Sequence, residues 1–330
     1  MELVRATSEG LYCPQGDFHI DPWRPVQRAI ITHGHSDHAR WGSAEYHTNI
    51  KGIPILKLRL GEDIKLYSHQ AGEKFKVGNT WVSFHPAGHI LGSCQVRIEY
   101  KDHVWVASGD YKRTPDPSCD PFEVVPCDTF ISEATFALPV YKWDSGAVTA
   151  ERIHSWWQSD PERPSLLFCY ALGKAQRILA ELRRITDRKV YIHGALDSIT
   201  QIYRAAGIEM LPTASIQEKE KGYNFAGDLI LAPPSAHRSP WMKRFKEPQT
   251  AFASGWMQVR GTRRRKGYER GFVLSDHADW NELNQTVEET GASTVYLTHG
   301  RTDVLQRYLN EQGKTVKLFV TQYEAEEEAS

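Results

Sequence analysis

Directly after the apolar run Ala29-Ile30-Ile31, the segment Thr32-His33-Gly34-His35-Ser36-Asp37-His38 places three histidines and an aspartate within six residues. Imidazole nitrogens suit zinc, and an added carboxylate suits zinc or manganese. The spacing of His33 and His35 against Asp37 and His38 lets neighbouring pairs face two different ions, so one strand end can serve two metals. Four further residues stand where a strand gives way to a Gly-bearing turn: Asp21, His89 in Pro86-Ala87-Gly88-His89, Asp110 in Ser108-Gly109-Asp110, and His299. Any one of them alone reads as an aspartate capping its own turn or a surface histidine. With the opening cluster they read as a metal constellation.

These side chains need strands to bring them together. Up to about residue 130 the sequence predicts short strands broken by Gly, Pro and Asp: Trp81-Val82-Ser83-Phe84, then 94–100 and 103–107. From about residue 150 its character changes to apolar strands alternating with helical patterns. They run from a strand at 166–170 to a helix with Ile178, Leu182 and Ile185 on one face, a strand at 190–192, and a helix closed by Gly207. That pattern predicts an α/β segment with parallel pairing. Near the C-terminus, Tyr296-Leu297-Thr298-His299-Gly300 echoes Ile30-Ile31-Thr32-His33-Gly34. If strand ends from both extremities meet at one site, the middle of the chain is an insertion.

The 330 residues allow two domains of ordinary size. Hydrophobic content of 40%, charged content of 25% and a formal net charge of −1 describe an ordinary globular chain, so any basic surface must be local. The five cysteines are odd in number and widely spaced, with no close pair of knuckle or redox type, which fits a reduced cytoplasmic setting. The first residues lack a charged leader followed by an apolar stretch, and no run approaches the roughly 20 apolar residues of a membrane span. A protein neither secreted nor membrane-bound is expected. The acidic tail 324–328 reads as a solvated end.

The string His33-x-His35-x-Asp37-His38, with His89, Asp110 and Asp21, resembles the metallo-β-lactamase fold superfamily, an αββα sandwich that holds two metals at strand ends. The resemblance implies that His33, His35 and His89 take the first metal, that Asp37 and His38 take the second, that Asp110 bridges them, and that Asp21 orients ligands from behind. It implies two divalent ions, zinc first, with manganese or magnesium as alternatives. Ile131-Ser132-Glu133-Ala134-Thr135, Ser275-Asp276-His277-Ala278-Asp279 and Leu297-Thr298-His299-Gly300 look like the three extra motifs of the β-CASP nucleases, and Ala171-Leu172-Gly173-Lys174-Ala175-Gln176 resembles a strand-to-helix turn of their inserted domain. The expected fold is therefore α/β, a metallo-β-lactamase αββα sandwich with an inserted β-CASP α/β cap. Residues 1–150 and 266–330 would form the discontinuous first domain and 151–265 the cap.

Within that group, Phe252-Ala253-Ser254-Gly255-Trp256-Met257, the cluster Arg263-Arg264-Arg265-Lys266 and the stretch 272–280 look most like the bacterial ligase-associated DNA exonucleases. The resemblance implies a cytoplasmic enzyme of DNA repair, at the nucleoid when acting, working beside an ATP-dependent ligase and a helicase on single strands or duplex ends. His299 keeps RNA in play, because DNA-specific eukaryotic members carry an apolar residue there and RNA-cutting members a histidine. The implied chemistry is hydrolysis by two-metal activation of water, with Asp37, His277 and Glu133 as catalytic candidates. His299 would complete the second metal's shell, His277 would give a hydrogen bond or proton at the scissile phosphate, and Glu133 would fix His277. No Ser or Cys nucleophile with a base partner stands out.

Lys174 at a helix start and the run Arg263, Arg264, Arg265 and Lys266, flanked by Arg260 and Arg270, are the candidate contacts to the DNA backbone. Ser235-Ala236-His237-Arg238-Ser239 reads as an ordinary loop, and Trp241, Trp256 and Tyr268 as packing residues that could otherwise stack on bases. Three rival functions share parts of this pattern: a ribonuclease with the same chemistry, a thioester or lactam hydrolase that would not need the cap, and a metal-stabilised scaffold that would not need every ligand.

Overall fold

In the computed structural model, which describes residues 1–259 and 267–319, the chain divides into two units. The first comprises Met1–Arg113, Cys119–Lys142 and the chain from His277; the second comprises Thr114–Ser118 and Trp143–Asp276.

The first unit is built on two sheets. One runs in the order Arg5–Ala6, Leu11–Cys13, Phe18–Ile20, Arg28–Ile30, Glu45–Asn49, Leu66–His69, and its pairing is parallel from Phe18–Ile20 onward. The other runs Thr315–Leu318, Thr294–Thr298, Thr129–Glu133, His103–Ala107, Cys94–Tyr100, Thr80–Pro86, Phe75–Val77. Period-two alternation sends Val82, Phe84, Val96, Ile98, Trp105, Ala107, Ile131 and Tyr296 to one face of this second sheet, where they pack against Cys13, Phe18, Ile20 and Ile30 of the first. The opposite residues, Val106, Phe130, Val295 and Leu297, meet Leu283 and Val287 of the helix Trp280–Glu289 and Leu305 and Leu309 of the helix Asp303–Glu311. On the far side of the first sheet, Ala29, Ile31 and Tyr46 meet Leu56 and Leu60 of the helix Ile53–Leu60. The layers are helix, sheet, sheet, helix. Each large side chain so enclosed contributes roughly 1.5–3 kcal/mol relative to exposure.

Register decides what meets at the edge. Thr294–Thr298 lies parallel to Thr129–Glu133, with Thr298 opposite Glu133, and Ala107 lies opposite Ile131. Ile20 lies opposite Ile30 in the other sheet. Residues from both ends of the sequence therefore leave their strands at one edge, and the middle of the chain is an insertion between paired strands.

The second unit carries a six-stranded sheet in the order Thr213–Ser215, Val190–Ile192, Leu229–Ala232, Ser165–Phe168, Gln249–Ala253, Arg270–Phe272, every neighbour parallel. Its central strands are buried throughout, as a sheet covered on both faces requires. The helix Gly146–Gln158, capped by Ser145 Oγ accepting from Val148 N, belongs here, and so does Arg270–Phe272. These two elements move the divide to residues 143 and 276, outside the expected limits of 151 and 265. The helix expected to reach Ile185 is Lys174–Leu182; Ile185 lies beyond its end and is exposed. Among the described residues no helix is long and apolar enough to cross a membrane.

Candidate metal centre

Asp21 and Thr32 begin the site. Asp21, in the left-handed region at φ 43°, accepts from Thr32 N (2.8 Å) through Oδ1 and from Thr32 Oγ1 (2.6 Å) through Oδ2. Thr32 Oγ1, its own hydrogen given to Asp21, lies 3.0 Å from His33 Nδ1 and accepts from it. A neutral His33 then has its proton on Nδ1 and a lone pair on Nε2. His38 Nδ1 donates to Asp21 Oδ2 (2.7 Å), so that Nε2 is the atom that would carry the lone pair once the ring is neutral. The Thr-His-Gly echo repeats the device: Thr298 Oγ1 donates to Ser132 O (3.3 Å) and stands 3.0 Å from His299 Nδ1.

The bare atoms converge. His33 Nε2 and His89 Nε2 lie 3.1 and 3.0 Å from His35 Nδ1. Asp110 Oδ2 lies 3.3 Å from His33 Nε2, 3.4 Å from His38 Nε2 and 3.7 Å from His89 Nε2, while Asp37 Oδ2 is 3.6 Å from His38 Nε2. His299, at φ 55°, stacks on His38 with ring centroids 5.6 Å apart. A cavity of about 40 Å³, lined in part by Asp37, His38 and His299, adjoins them, room for a water-sized guest. Lone pairs pointed at one another across 3.0–3.7 Å repel unless positive charge lies between them, so His33, His35, His89 and Asp110 form a donor set that could hold a cation, with Asp37, His38 and His299 on the other side of Asp110. These buried clusters can hold metal ions.

The two sides differ in charge. Burial works to raise the Asp110 carboxyl, but the facing His38 and His277 overcome it and hold it well below the ordinary carboxylate range. Burial works to lower His38, and Asp110, Asp37 and Asp21 overcome that and hold it well above its usual value. His89 is pushed well below the ordinary value by burial and by the neighbouring His277 and His33. His299 is lowered by burial first and by His38 next.

Beside this set, Glu133, 1% exposed, accepts from Tyr111 N (2.8 Å) and from His277 Nδ1 (2.9 Å). The His277 ring centroid is 4.7 Å from that of His89. Two glycines shape the loops that deliver ligands. Gly109 has φ +56° and a Cβ there would sit 2.7 Å from Thr32 Cβ; Gly88 has φ +73° and a Cβ there would lie 2.1 Å from Lys112 O.

The structure brings together Asp21, His33, His35, Asp37, His38, His89, Asp110, Glu133, His277 and His299. Thr32 and Thr298 escaped sequence reasoning as functional groups, although their place before His33 and His299 in the echo was the signal. Lys174 departs from expectation. It is 1% exposed, with its ammonium 3.3 Å from Asp276 and over the Tyr170 ring at 4.7 Å, so it neutralises Asp276 and does not offer itself to a phosphate. At the same helix start Gln176 Oε1 takes the Gly173 N–H (2.9 Å). Arg260, Arg263, Arg264, Arg265 and Lys266 lie outside the described residues. Tyr268 stacks on His237 with centroids 4.0 Å apart, and Trp241 and Trp256 pack on the buried cluster of the second unit.

No protein-family model matches the chain. It is 29% identical over 313 residues to a protein named "Probable DNA ligase" from Opitutus terrae (strain DSM 11246 / JCM 15787 / PB90-1), a match that covers 93% of this chain and 30% of the relative. The chain thus spans under a third of that relative's length. Among solved structures it shares its fold with a protein of unknown function from Enterococcus faecalis V583, at TM-score 0.59 and 12% identity, covering 89% of this chain and 79% of that one.

Proposed function

We propose that the chain is a metal-dependent exonuclease that hydrolyses phosphodiester bonds at DNA ends, a β-CASP nuclease of the metallo-β-lactamase fold resembling the ligase-associated group. The observation that carries this reading is the single oxygen Asp110 Oδ2, faced by His33, His38 and His89 from two sides. The four-layer first unit, the parallel inserted sheet and the likeness to part of a protein named as a DNA ligase support it.

Two divalent cations, zinc before manganese or magnesium, would lower the pKa of a water towards neutrality and counter the charge that grows on the phosphate. Asp21 holds the His38 proton on Nδ1, and Thr32 and Thr298 do the same for His33 and His299, so every Nε2 faces inward as a donor atom. Asp37 and Asp110 would add the negative charge that offsets the charge of such cations. Glu133 accepts the His277 Nδ1 hydrogen and orients the ring, which in its doubly protonated form would give its Nε2 proton to the leaving sugar oxygen.

A histidine at position 299, where the resemblance gives RNA-cutting members a histidine, makes the ribonuclease the second reading. Matched DNA and RNA strands labelled at the 5′ or 3′ end, incubated with metal-loaded protein and with Asp37→Ala as control, decide between them. Stepwise, metal-dependent shortening of DNA is expected. Shortening of RNA alone would favour the second reading, and intact strands of both kinds would overturn both. An ATP-dependent ligase and a helicase remain its proposed companions, in the cytoplasm of a bacterial-type cell.

A further inference from the structure

Two loops of the first unit lean on one another beside the metal constellation. Residues 22–26 follow Asp21, and residues 39–43 follow His38. Val26 N donates to Ser43 Oγ (3.2 Å), Ala44 N donates to Val26 O (2.9 Å), and a Cβ on Gly42, at φ +106°, would lie 2.9 Å from Pro25 Cγ. Tyr46, 1% exposed, pins the second loop from beneath, its hydroxyl donating to Arg40 O (2.8 Å) and accepting from Ser43 N (2.9 Å).

What these fixed loops present is unusual. Trp23 lines the cavity shared with Asp37, His38 and His299. Trp41 is 74% exposed, although its loop is anchored on both sides. It stands three positions after His38, so its Cα lies within about 11 Å of that residue's. A large indole held in water at a set position contributes nothing to the core. Arg24 and Arg59 are exposed as well, and neither makes an ion pair or side-chain hydrogen bond among the described residues. Arg59 stands on the helix Ile53–Leu60, whose Leu56 and Leu60 pack against Ala39 and Tyr46. Surrounding protein holds its guanidinium below the ordinary value, with Asp37 in electrostatic reach opposing the shift.

We propose that this rim grips single-stranded nucleic acid beside the scissile phosphate, with Trp41 stacked on an unpaired base and Arg24 and Arg59 on flanking phosphates. An aromatic platform interleaved with cations is sequence-tolerant, because every base offers a π-face and every nucleotide a charge. A paired base inside a duplex has no free face, so frayed or single-stranded ends are the preferred form. The inference rests on the nuclease reading for the identity of the ligand.

The test separates the two. Binding of fluorescein-labelled dT15 and of a blunt duplex of equal length is followed by anisotropy with chelator present, and cleavage is assayed separately with metal. Trp41→Ala is expected to weaken dT15 binding about fivefold or more while Trp41→Phe retains most of it, and Trp81→Ala, at an exposed tryptophan far along its strand from His89, leaves it unchanged. Arg24→Ala and Arg59→Ala are each expected to lower the slope of log affinity against log salt by about 0.7. Wild-type affinity in Trp41→Ala with both slopes unchanged would overturn the rim even if the protein cuts DNA. Loss of binding in these variants of a protein that cuts nothing would keep the rim and sink the nuclease.

Discussion

At the level of single residues the account turns on where imidazole protons sit. Asp21→Asn keeps a side chain that tolerates φ 43° and can still accept from Thr32 N, but its amide would donate to His38 Nδ1 and force the proton onto Nε2. Binding of the second cation, read by calorimetry, should weaken about ten- to a hundredfold with the fold intact; unchanged affinity would remove Asp21 from its orienting role. On the proposed reading, in which His277 supplies a proton and is not a ligand, His277→Ala should keep its bound metal and lose at least about tenfold in rate. Near-native turnover by that variant would exclude it from the chemistry. That these histidines and aspartates would meet was legible because metal chemistry restricts residue type and turn glycines mark strand ends. Thr32 and Thr298 were harder to see, because a threonine before a histidine becomes informative only once its hydroxyl is found bonded on both sides.

Strands and helices decide whether those residues meet. Gly109→Ala should destabilise the fold by about 2 kcal/mol or more in urea denaturation, because a left-handed residue gains a Cβ pressed on Thr32, and it should also cost metal by displacing Asp110; a variant of normal stability and metal content would count against this loop as the delivery element. The outer strand Leu66–His69 makes a different prediction. His69 stacks on Phe75 with centroids 3.4 Å apart and His69 Nε2 lies 3.2 Å from His47 Nδ1. Burial first, then His69, push His47 from 6.5 down to about 4, with Glu45 opposing and Arg28 and Lys65 reinforcing. A histidine lowered on folding takes up its proton more readily in the unfolded chain. Its contribution is therefore intact above about pH 6.5, fades as pH falls towards 4, and has cost about 3 kcal/mol by then. His47→Phe should lose less stability than wild type between pH 7 and 4.5 in urea titrations, and parallel losses would contradict the assignment. Long alternating strands such as Cys94–Tyr100 and His103–Ala107 could be read from the sequence, and so could the apolar strands of the inserted sheet. The opening sheet could not: strands of two or three residues, such as Arg5–Ala6 and Phe18–Ile20, are too short to show a period, and partners elsewhere in the sheet define them. Ile185 misled because helical spacing continues past Leu182 after the helix has ended.

For the whole molecule, an insertion separates strands that pair, and the pairing of Thr129–Glu133 with Thr294–Thr298 makes the site depend on both ends of the sequence. The Thr-His-Gly echo carried that much, because two similar strand ends can serve one edge. The limits of the inserted unit were not legible, since the helix Gly146–Gln158 and the strand Arg270–Phe272 join it through packing that no composition change announces. Nor does the sequence distinguish DNA from RNA, because the same metal chemistry serves both sugars. The central claim is that two cations share Asp110. Crystals grown with zinc, measured at energies on both sides of its absorption edge, test it most directly. Two anomalous peaks roughly 3.5–4 Å apart are expected, one at His33, His35 and His89 and the other at Asp37, His38 and His299, with Asp110 between them. A single peak, none, or His299 out of reach of either ion would contradict the account.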